Sequence, residues 1–407
     1  MKCRHCNTAL TEKFLDLGSA PPSNAYLEHS SVNQSEMHFP LTVYVCRNCW
    51  LVQTEDFAKS DELFDDNYAY FSSTSQSWLD HAQNYCNDVT KRFSLSSESH
   101  VVEIASNDGY LLKNFVETGV PCLGIEPTAS TAEAAKNEGV PTLQEFFGEE
   151  LARQLVSEGK SSDLIIGNNV FAHVPDINDF TRGISFLLKP QGTVTLEFPH
   201  LRELIKHDQF DTVYHEHFSY LSLTAVTSIF EKAGLRIYDV QKLKTHGGSL
   251  RIFGCRQDAN LITTSAVKET LSLEQSEGFL DVEMYRRFQC RANKVKNEFL
   301  SFLIEQQKLG KTVGAYGAAA KGNTMLNYAG VKPDLLPFVC DAAPAKQGKF
   351  MPGSHIPIMH PDYLNEVKPD YVIILPWNLA TEVSKQLIEI RDWGGKFVIA
   401  VPELKMF

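Results

Sequence analysis

Val101-Val102-Glu103-Ile104-Ala105-Ser106-Asn107-Asp108-Gly109-Tyr110-Leu111-Leu112 constrains this chain more than any other stretch. Val101, Val102 and Ile104 are β-branched and apolar, which suits a buried strand. Asp108-Gly109 is turn chemistry, and glycine can take positive φ and let a ligand approach the backbone. Leu111, Leu112 and Phe115 then open a helical apolar pattern. Strand, tight loop and helix in that order begin a doubly wound α/β sheet, and the loop is where nucleotide-like cofactors sit. From Val101 to about Leu243 strand and helix keep alternating, as in βαβ units. The order recurs from Thr312: Val313-Gly314-Ala315-Tyr316-Gly317-Ala318-Ala319-Ala320-Lys321-Gly322-Asn323-Thr324 is again strand, small-residue loop and helix. A long polar helical region, about Glu274 to Lys308 with a stop at Gly310, bridges the two units. The predicted class is α/β. A small N-terminal module (1–72) precedes a central Rossmann-like domain (73–243) and a C-terminal Rossmann-like domain (244–407).

The first loop does not spell G-x-G-x-x-G, so the dinucleotide fingerprint fails. Glu103-Ile104-Ala105-Ser106-Asn107-Asp108-Gly109 is more similar to the acidic-x-G-x-N-x-G loop that binds S-adenosylmethionine (SAM), with Ala105 at the first glycine. Glu126 closes the second strand about 20 residues on, where an acid accepts both ribose hydroxyls of an adenosine. Phe146 or Phe147, where the third strand ends, can face an adenine ring or join the core. Gly167-Asn168-Asn169 ends the fourth strand and leads to His173. Loops at the carboxyl ends of strands line the site in this architecture.

The N-terminus carries Cys3-x-x-Cys6 and Cys46-x-x-Cys49. Four thiolates suit tetrahedral Zn²⁺, and a full Cys₄ shell leaves no open position, so the ion is structural. It would staple a segment too small to build its own core. The other five of the nine cysteines are scattered. The formal net charge of −12 argues against nucleic acid or an anionic membrane as a general partner. No apolar run approaches about 18 residues, and Met1-Lys2-Cys3-Arg4-His5-Cys6 lacks the apolar core of a secretory signal. The chain therefore reads as cytoplasmic.

Asp211-Thr212-Val213-Tyr214-His215-Glu216-His217 is the densest titratable cluster. H-x-H alone is a weak metal signal and H-E-x-x-H is absent, so acid–base chemistry fits better. A histidine titrates near neutrality, a carboxylate can orient it, and a tyrosine can donate to a developing oxyanion. Tyr68-Ala69-Tyr70-Phe71-Ser72-Ser73 reads as an aromatic hinge or as phenols aimed at cofactor or substrate. In the C-terminal unit Lys321, with the backbone amides of its helix start, forms an anion site. Asp341 ends the next strand, Lys346 follows it, and Trp377-Asn378 ends a further strand. This half has the shape of a nucleotide-diphosphate pocket.

Taken in order over the whole chain, these motifs resemble the SAM-dependent C-methyltransferases of nucleotide-linked 4-keto deoxysugars. The resemblance rests on the four cysteines, Tyr68 to Ser73, Glu103 to Gly109, Gly167 to His173 and Tyr214 to His217. It continues through His246-Gly247-Gly248-Ser249-Leu250-Arg251, Tyr316 to Gly322, Lys346-Gln347-Gly348 and Leu375-Pro376-Trp377-Asn378. Ala105 departs from the family's usual glycine. The resemblance implies methylation of a carbon, C-3 first, beside the ketone of an NDP-4-keto-6-deoxyhexose (dTDP or GDP) through an enolate. His217 would be the base, with Glu216, Tyr214, His173 and Tyr68 around the sugar. Tyr70, Ser73, Glu103, Ala105, Asn107, Gly109, Glu126, Phe146 and Asn168 would hold SAM. His246, Lys321, Asn323, Asp341, Lys346, Trp377 and Asn378 would hold the sugar nucleotide, and the chain would act as a monomer or small homo-oligomer. C-5 or O-methylation, or a non-catalytic nucleotide-sugar module, stay open as alternatives.

Overall fold

The computed structural model describes residues 1–55, 57 and 71–407. Tyr68 and Tyr70 lie outside the described residues.

The N-terminal module is an antiparallel meander of β1 (Glu12–Ala20), β2 (Phe39–Val45) and β3 (Val52–Thr54). Its fourth strand comes from far along the chain, residues Ser219–Tyr220, which pair antiparallel with β3.

The central sheet is built from β4 (Val101–Ile104), β5 (Cys122–Ile125), β6 (Thr142–Leu143), β7 (Ser162–Asn168) and β8 (Leu188–Pro199). With Ser219–Tyr220 counted as β9, it is completed by β10 (Leu235–Leu243) and β11 (Ser249–Arg256). The order is β10-β11-β8-β7-β4-β5-β6. Strands β4 to β8 are parallel, and β11 runs antiparallel to both its neighbours. Helices cover both faces, so the inner strands are apolar throughout: Leu164, Ile165 and Ile166 of β7 are all buried. The order reverses between β4 and β7, which opens a crevice at their carboxyl ends. The expected boundary at 243/244 falls between β10 and β11. Those strands are neighbours in one sheet.

The expected polar bridge consists of helices Ser265–Ser276, Val282–Arg286 and Phe288–Lys308. The C-terminal sheet follows: β12 (Val313–Tyr316), β13 (Val339–Cys340), β14 (Ile358–Met359), β15 (Tyr371–Ile374), β16 (Lys396–Ile399) and β17 (Lys405–Met406). Its order is β14-β13-β12-β15-β16-β17, parallel except for β17.

Two cores tie the modules together. Phe14, Leu41 and Val43 of the meander share one core with Phe288, Phe299, Leu326 and Ile373. Cys3, Cys46, Cys49 and Leu51 share another with Ile104, Ile165 and Phe230 of the central unit. The N-terminal module is therefore packed against both α/β units. No helix among the described residues is long and apolar enough to cross a membrane.

Candidate active site and metal centre

The four cysteines converge: the Sγ atoms of Cys3, Cys6, Cys46 and Cys49 all lie within 4.8 Å of one another. Cys3–Cys49 and Cys6–Cys46 are each 3.5 Å apart. A tetrahedral zinc with Zn–S of about 2.3 Å spaces its ligand sulfurs by about 3.8 Å, so the set fits that ion. Both knuckles turn in the same way. Asn7 N donates to Cys3 O and Trp50 N to Cys46 O, with Asn7 and Trp50 in the left-handed region (φ 61 and 59°). Gln53 Nε2 donates to Cys3 Sγ (3.2 Å), which places β3 directly against the cluster.

At the end of β4 the loop takes positive φ at Ala105 (57°), Asn107 (50°) and Gly109 (77°). Gly109 is confined, because a Cβ there would lie 3.0 Å from Val140 and 3.2 Å from Ala135. Glu126 at the end of β5 spans the loop, accepting from Asn107 N (2.9 Å) and Thr128 N (3.0 Å). Residues 72 and 73 cover it from outside: Ser72 N donates to Asn107 Oδ1 (2.9 Å) and Ser73 N to Asp108 Oδ2 (3.0 Å). Glu103 is buried, and that burial, then the charges of Glu126 and Asp108, push its pKa well up. Glu103 Oε2, Asn169 Oδ1 and both side-chain polar atoms of Asn168 are buried without a partner among the described residues. Phe146 is 55% exposed, whereas Phe147 meets Phe180 edge-on at 5.4 Å.

Tyr214 to His217 form a turn just before β9, closed by His217 N donating to Tyr214 O (3.0 Å). Thr54 of β3 holds this turn from the cysteine side. Its N–H donates to Phe218 O (3.2 Å) and its Oγ1 to His217 O (3.2 Å). His217 Nδ1 donates to Thr212 O (2.9 Å), and His173 Nδ1 donates to Glu216 O (2.7 Å). A neutral imidazole with its proton on Nδ1 keeps a lone pair on Nε2. The two rings meet edge-on with centroids 4.6 Å apart, and the Tyr214 ring lies 4.0 Å from that of His217. Burial, then the neighbouring His173, pushes His217 well below the usual histidine range; burial brings His173 to about 4. Both are neutral bases at pH 7. Glu216 is buried and its pKa is raised by that burial; Oε1 accepts from Asn24 Nδ2 (3.1 Å), and Oε2 has no partner among the described residues.

The C-terminal unit closes the cleft. Trp377 Nε1 donates to Asp211 Oδ2 (2.7 Å). Lys321 Nζ donates to Asn378 Oδ1 (2.7 Å) and stands 4.7 Å from the centre of the Trp377 ring. The indole packs on Gly247 (φ 87°), where a Cβ would collide with it. His246 accepts at Nε2 from Asn169 Nδ2 (2.9 Å) and meets Trp78 edge-on at 5.1 Å. Burial, then the charge of Lys321, holds His246 at about 4. Burial pushes Asp211 up to about 6 against the pull of Lys321 and the indole N–H.

The expected single anion site is divided. Asp341 and Lys346 stay at the strand ends of their own sheet. Asp341 accepts from Ala318 N (2.7 Å) and Ala343 N (2.8 Å), and Lys346 Nζ donates to Ala318 O (2.9 Å). Tyr26 OH donates to the same carbonyl (2.5 Å). Lys321 lies close enough to His217 and His246 for its charge to act on both, and Trp377 packs on Gly247 beside His246. Asn323 holds neither group: its Nδ2 donates to Ser23 O (2.6 Å), which anchors the N-terminal loop.

Three family models divide the chain: "Putative zinc binding domain" over residues 3–64, "Methyltransferase domain" over 78–240 and "C-methyltransferase C-terminal domain" over 244–402. The C-methyltransferase NovU of Streptomyces niveus is 35% identical over 402 residues, covering 99% of this chain and 96% of that enzyme. This chain belongs to the C-methyltransferase family. It is a SAM-dependent methyltransferase. Among solved structures, the Pyrococcus horikoshii PH0226 protein aligns at 15% identity and TM-score 0.37 over 47% of this chain and 99% of its own. Magnesium protoporphyrin IX methyltransferase from Synechocystis aligns at 14% and 0.34 over 44% and 83%.

The central loop fits the cofactor of this family. The unpartnered Asn168 and Glu103 atoms surround a loop with the left-handed turns of a ligand cradle. Each Glu126 oxygen, holding one N–H, keeps a second lone pair for a ribose hydroxyl. Sequence reasoning gave no role of their own to Asp211 and Asn169, which it met inside longer motifs, and passed over Asn24 and Trp78. It also passed over Glu197, which accepts from Arg251 (2.6 Å), Thr245 (2.8 Å) and His81 (3.0 Å). Burial opposes its charge, but the His81 hydrogen bond and Arg251 outweigh that and hold it at about 2. Asp211 and Asn169 border residues the sequence did single out; the other partners are remote in the chain and carry no local signal.

Proposed function

We propose that this C-methyltransferase methylates a carbon, C-3 first, beside the ketone of a nucleotide-linked 4-keto-6-deoxyhexose by way of an enolate. The observation that carries the reading is His217: a neutral imidazole fixed through Nδ1, its Nε2 free, in a cleft bordered by the SAM loop's unit. Carbon methylation needs a base for a C–H proton, and an imidazole uncharged at the operating pH can accept one. His217 takes the proton. Glu216 and Tyr214 flank it, and His173 supports the Glu216 backbone. Glu103, Ala105, Asn107, Gly109, Glu126 and Asn168 hold SAM, with Ser73 and Phe146 at its edges. SAM supplies an electrophilic methyl group whose bond breaks with the electron pair left on sulfur. Asp341 and Lys346 take the nucleotide side of the substrate (dTDP or GDP), and His246, Lys321, Trp377 and Asn378 the sugar side. The Cys₄ cluster holds a structural Zn²⁺ and anchors β3, which in turn holds His217.

The test is solvent exchange. In D₂O with a dTDP- or GDP-4-keto-6-deoxyhexose, the protein should introduce deuterium beside the ketone without SAM, and add one methyl at that carbon with SAM. His217→Gln should lower both by about 10²–10⁴-fold. Methyl transfer to oxygen, or exchange that survives in the variant, overturns the reading.

A further inference from the structure

We propose that Lys321, held by Asn378 and Trp377, is the electrophile that receives the developing negative charge on the ketone oxygen. This rests on the enolate reading above and assigns its second half, the acid that faces the base.

Lys321 leaves the strand-end loop of its own unit to Lys346. Its Nζ donates to the neutral Asn378 amide (2.7 Å), an acceptor that positions an ammonium without neutralising it. The Trp377 ring at 4.7 Å adds an electronegative face, and Asp211 fixes that ring through the indole N–H (2.7 Å). Asp211 lies three residues before Tyr214, so the lysine's support and the base belong to one segment. Lys321 is also close enough for its charge to disfavour protonation of both His217 and His246. Burial lowers the Lys321 pKa, and the charge of Asp211 opposes that shift and favours the ammonium. A cation held this near the base by Asn378 and Trp377 is placed to meet an oxyanion formed beside that base. An ammonium used only as a diphosphate cradle would sit with Asp341 and Lys346.

The electrons balance. His217 Nε2 takes the proton, the C–H pair forms the C=C bond, and the carbonyl π pair moves to oxygen beside Lys321. As the carbon is methylated, that oxygen pair re-forms the ketone. Lys321 donates a hydrogen bond throughout and keeps its proton.

The test compares Lys321→Met and Lys321→Arg with the wild type in the SAM-free deuterium exchange at saturating sugar nucleotide. Binding of the free nucleoside diphosphate is measured by calorimetry. Removing a preorganised oxyanion donor costs about 10²–10³-fold, so K321M should lose exchange by that factor while nucleoside diphosphate affinity stays within about 3-fold. K321R should recover at least about tenfold of the loss, since the charge is kept. Unchanged exchange in K321M, a parallel fall in nucleoside diphosphate affinity, or an Arg variant no better than Met overturns the assignment. Lys321→Gln gives the same readout should K321M melt early. If the wild type exchanges and only the variants disagree, the enolate reading stands without Lys321. If the wild type exchanges no keto sugar nucleotide, both fall.

Discussion

In both α/β units a carboxylate at the end of the second strand reaches back to the loop after the first. Glu126 takes the N–H groups of Asn107 and Thr128; Asp341 takes those of Ala318 and Ala343. The surroundings differ. The central loop is ringed by polar atoms with no partner among the described residues, on Glu103, Asn168 and Asn169. In the C-terminal loop the Ala318 carbonyl is already bonded by Tyr26 and Lys346. One local design thus yields a cradle prepared for a ligand and a loop largely satisfied by its own chain. The C-terminal unit contributes to the cleft through the end of β15 and the start of its first helix. Open hydrogen-bonding capacity, more than the strand-loop-helix motif, separates the two.

The largest test of that contrast is metal removal. Metal analysis should find one zinc per chain. Chelation should cost several kcal/mol of stability, since structural zinc sites in small modules contribute on the order of 10 kcal/mol. The module also anchors Tyr26 over the C-terminal loop and Thr54 on the His217 turn. Deuterium exchange should therefore collapse while SAM affinity, read by calorimetry, stays within about tenfold. Equal loss of both would show that the central cradle depends on the module too.

A paired substitution comes next. Glu126→Ala should weaken SAM binding by about 10–100-fold, the worth of hydrogen bonds to a charged group, whereas Asp341→Ala should change it less than about 3-fold. Comparable losses would break the distinction between the two carboxylates.

The pH dependence has opposite signs on the two sides of the cleft. His173 folds with a pKa of about 4, below its unfolded value of 6.5. The unfolded state then binds more protons, so this stability is present above about 6.5 and lost as pH falls towards 4. Asp211 folds at about 6, above 3.8, so it costs stability as pH rises from about 4 to 6. Urea midpoints should therefore be less acid-sensitive in His173→Gln, and Asp211→Asn should remove the alkaline-going loss. With His217 also depressed, the exchange rate should stay level from pH 7.5 to below 6.5. An acid limb centred on 6.5 would contradict the enclosed base.

The smallest effect is at the first loop. Ala105 sits at φ 57°, so Ala105→Gly should stabilise the protein by about 0.5–1 kcal/mol. Gly317→Ala, at φ 92° with its Cβ directed onto Pro376, should destabilise it by more than that. Thermal melts decide both.

Some of this was open to sequence reasoning. Strand Val101–Ile104 follows from its run of β-branched apolar residues and the turn chemistry after it, which are local. The four cysteines declare themselves because two C-x-x-C knuckles have little other use in one short module. Tyr214 to His217 stands out because titratable groups crowd one turn. Tertiary structure alone decided the rest. Strand β11 joins the central sheet because β8 and β10 both offer it an edge. Lys321 turns to the cleft because Asn378 and Trp377 stand there, and Trp377 finds Asp211 across 166 residues of chain. Such partners are chosen by the packing of whole units against each other, a property that no window of sequence contains.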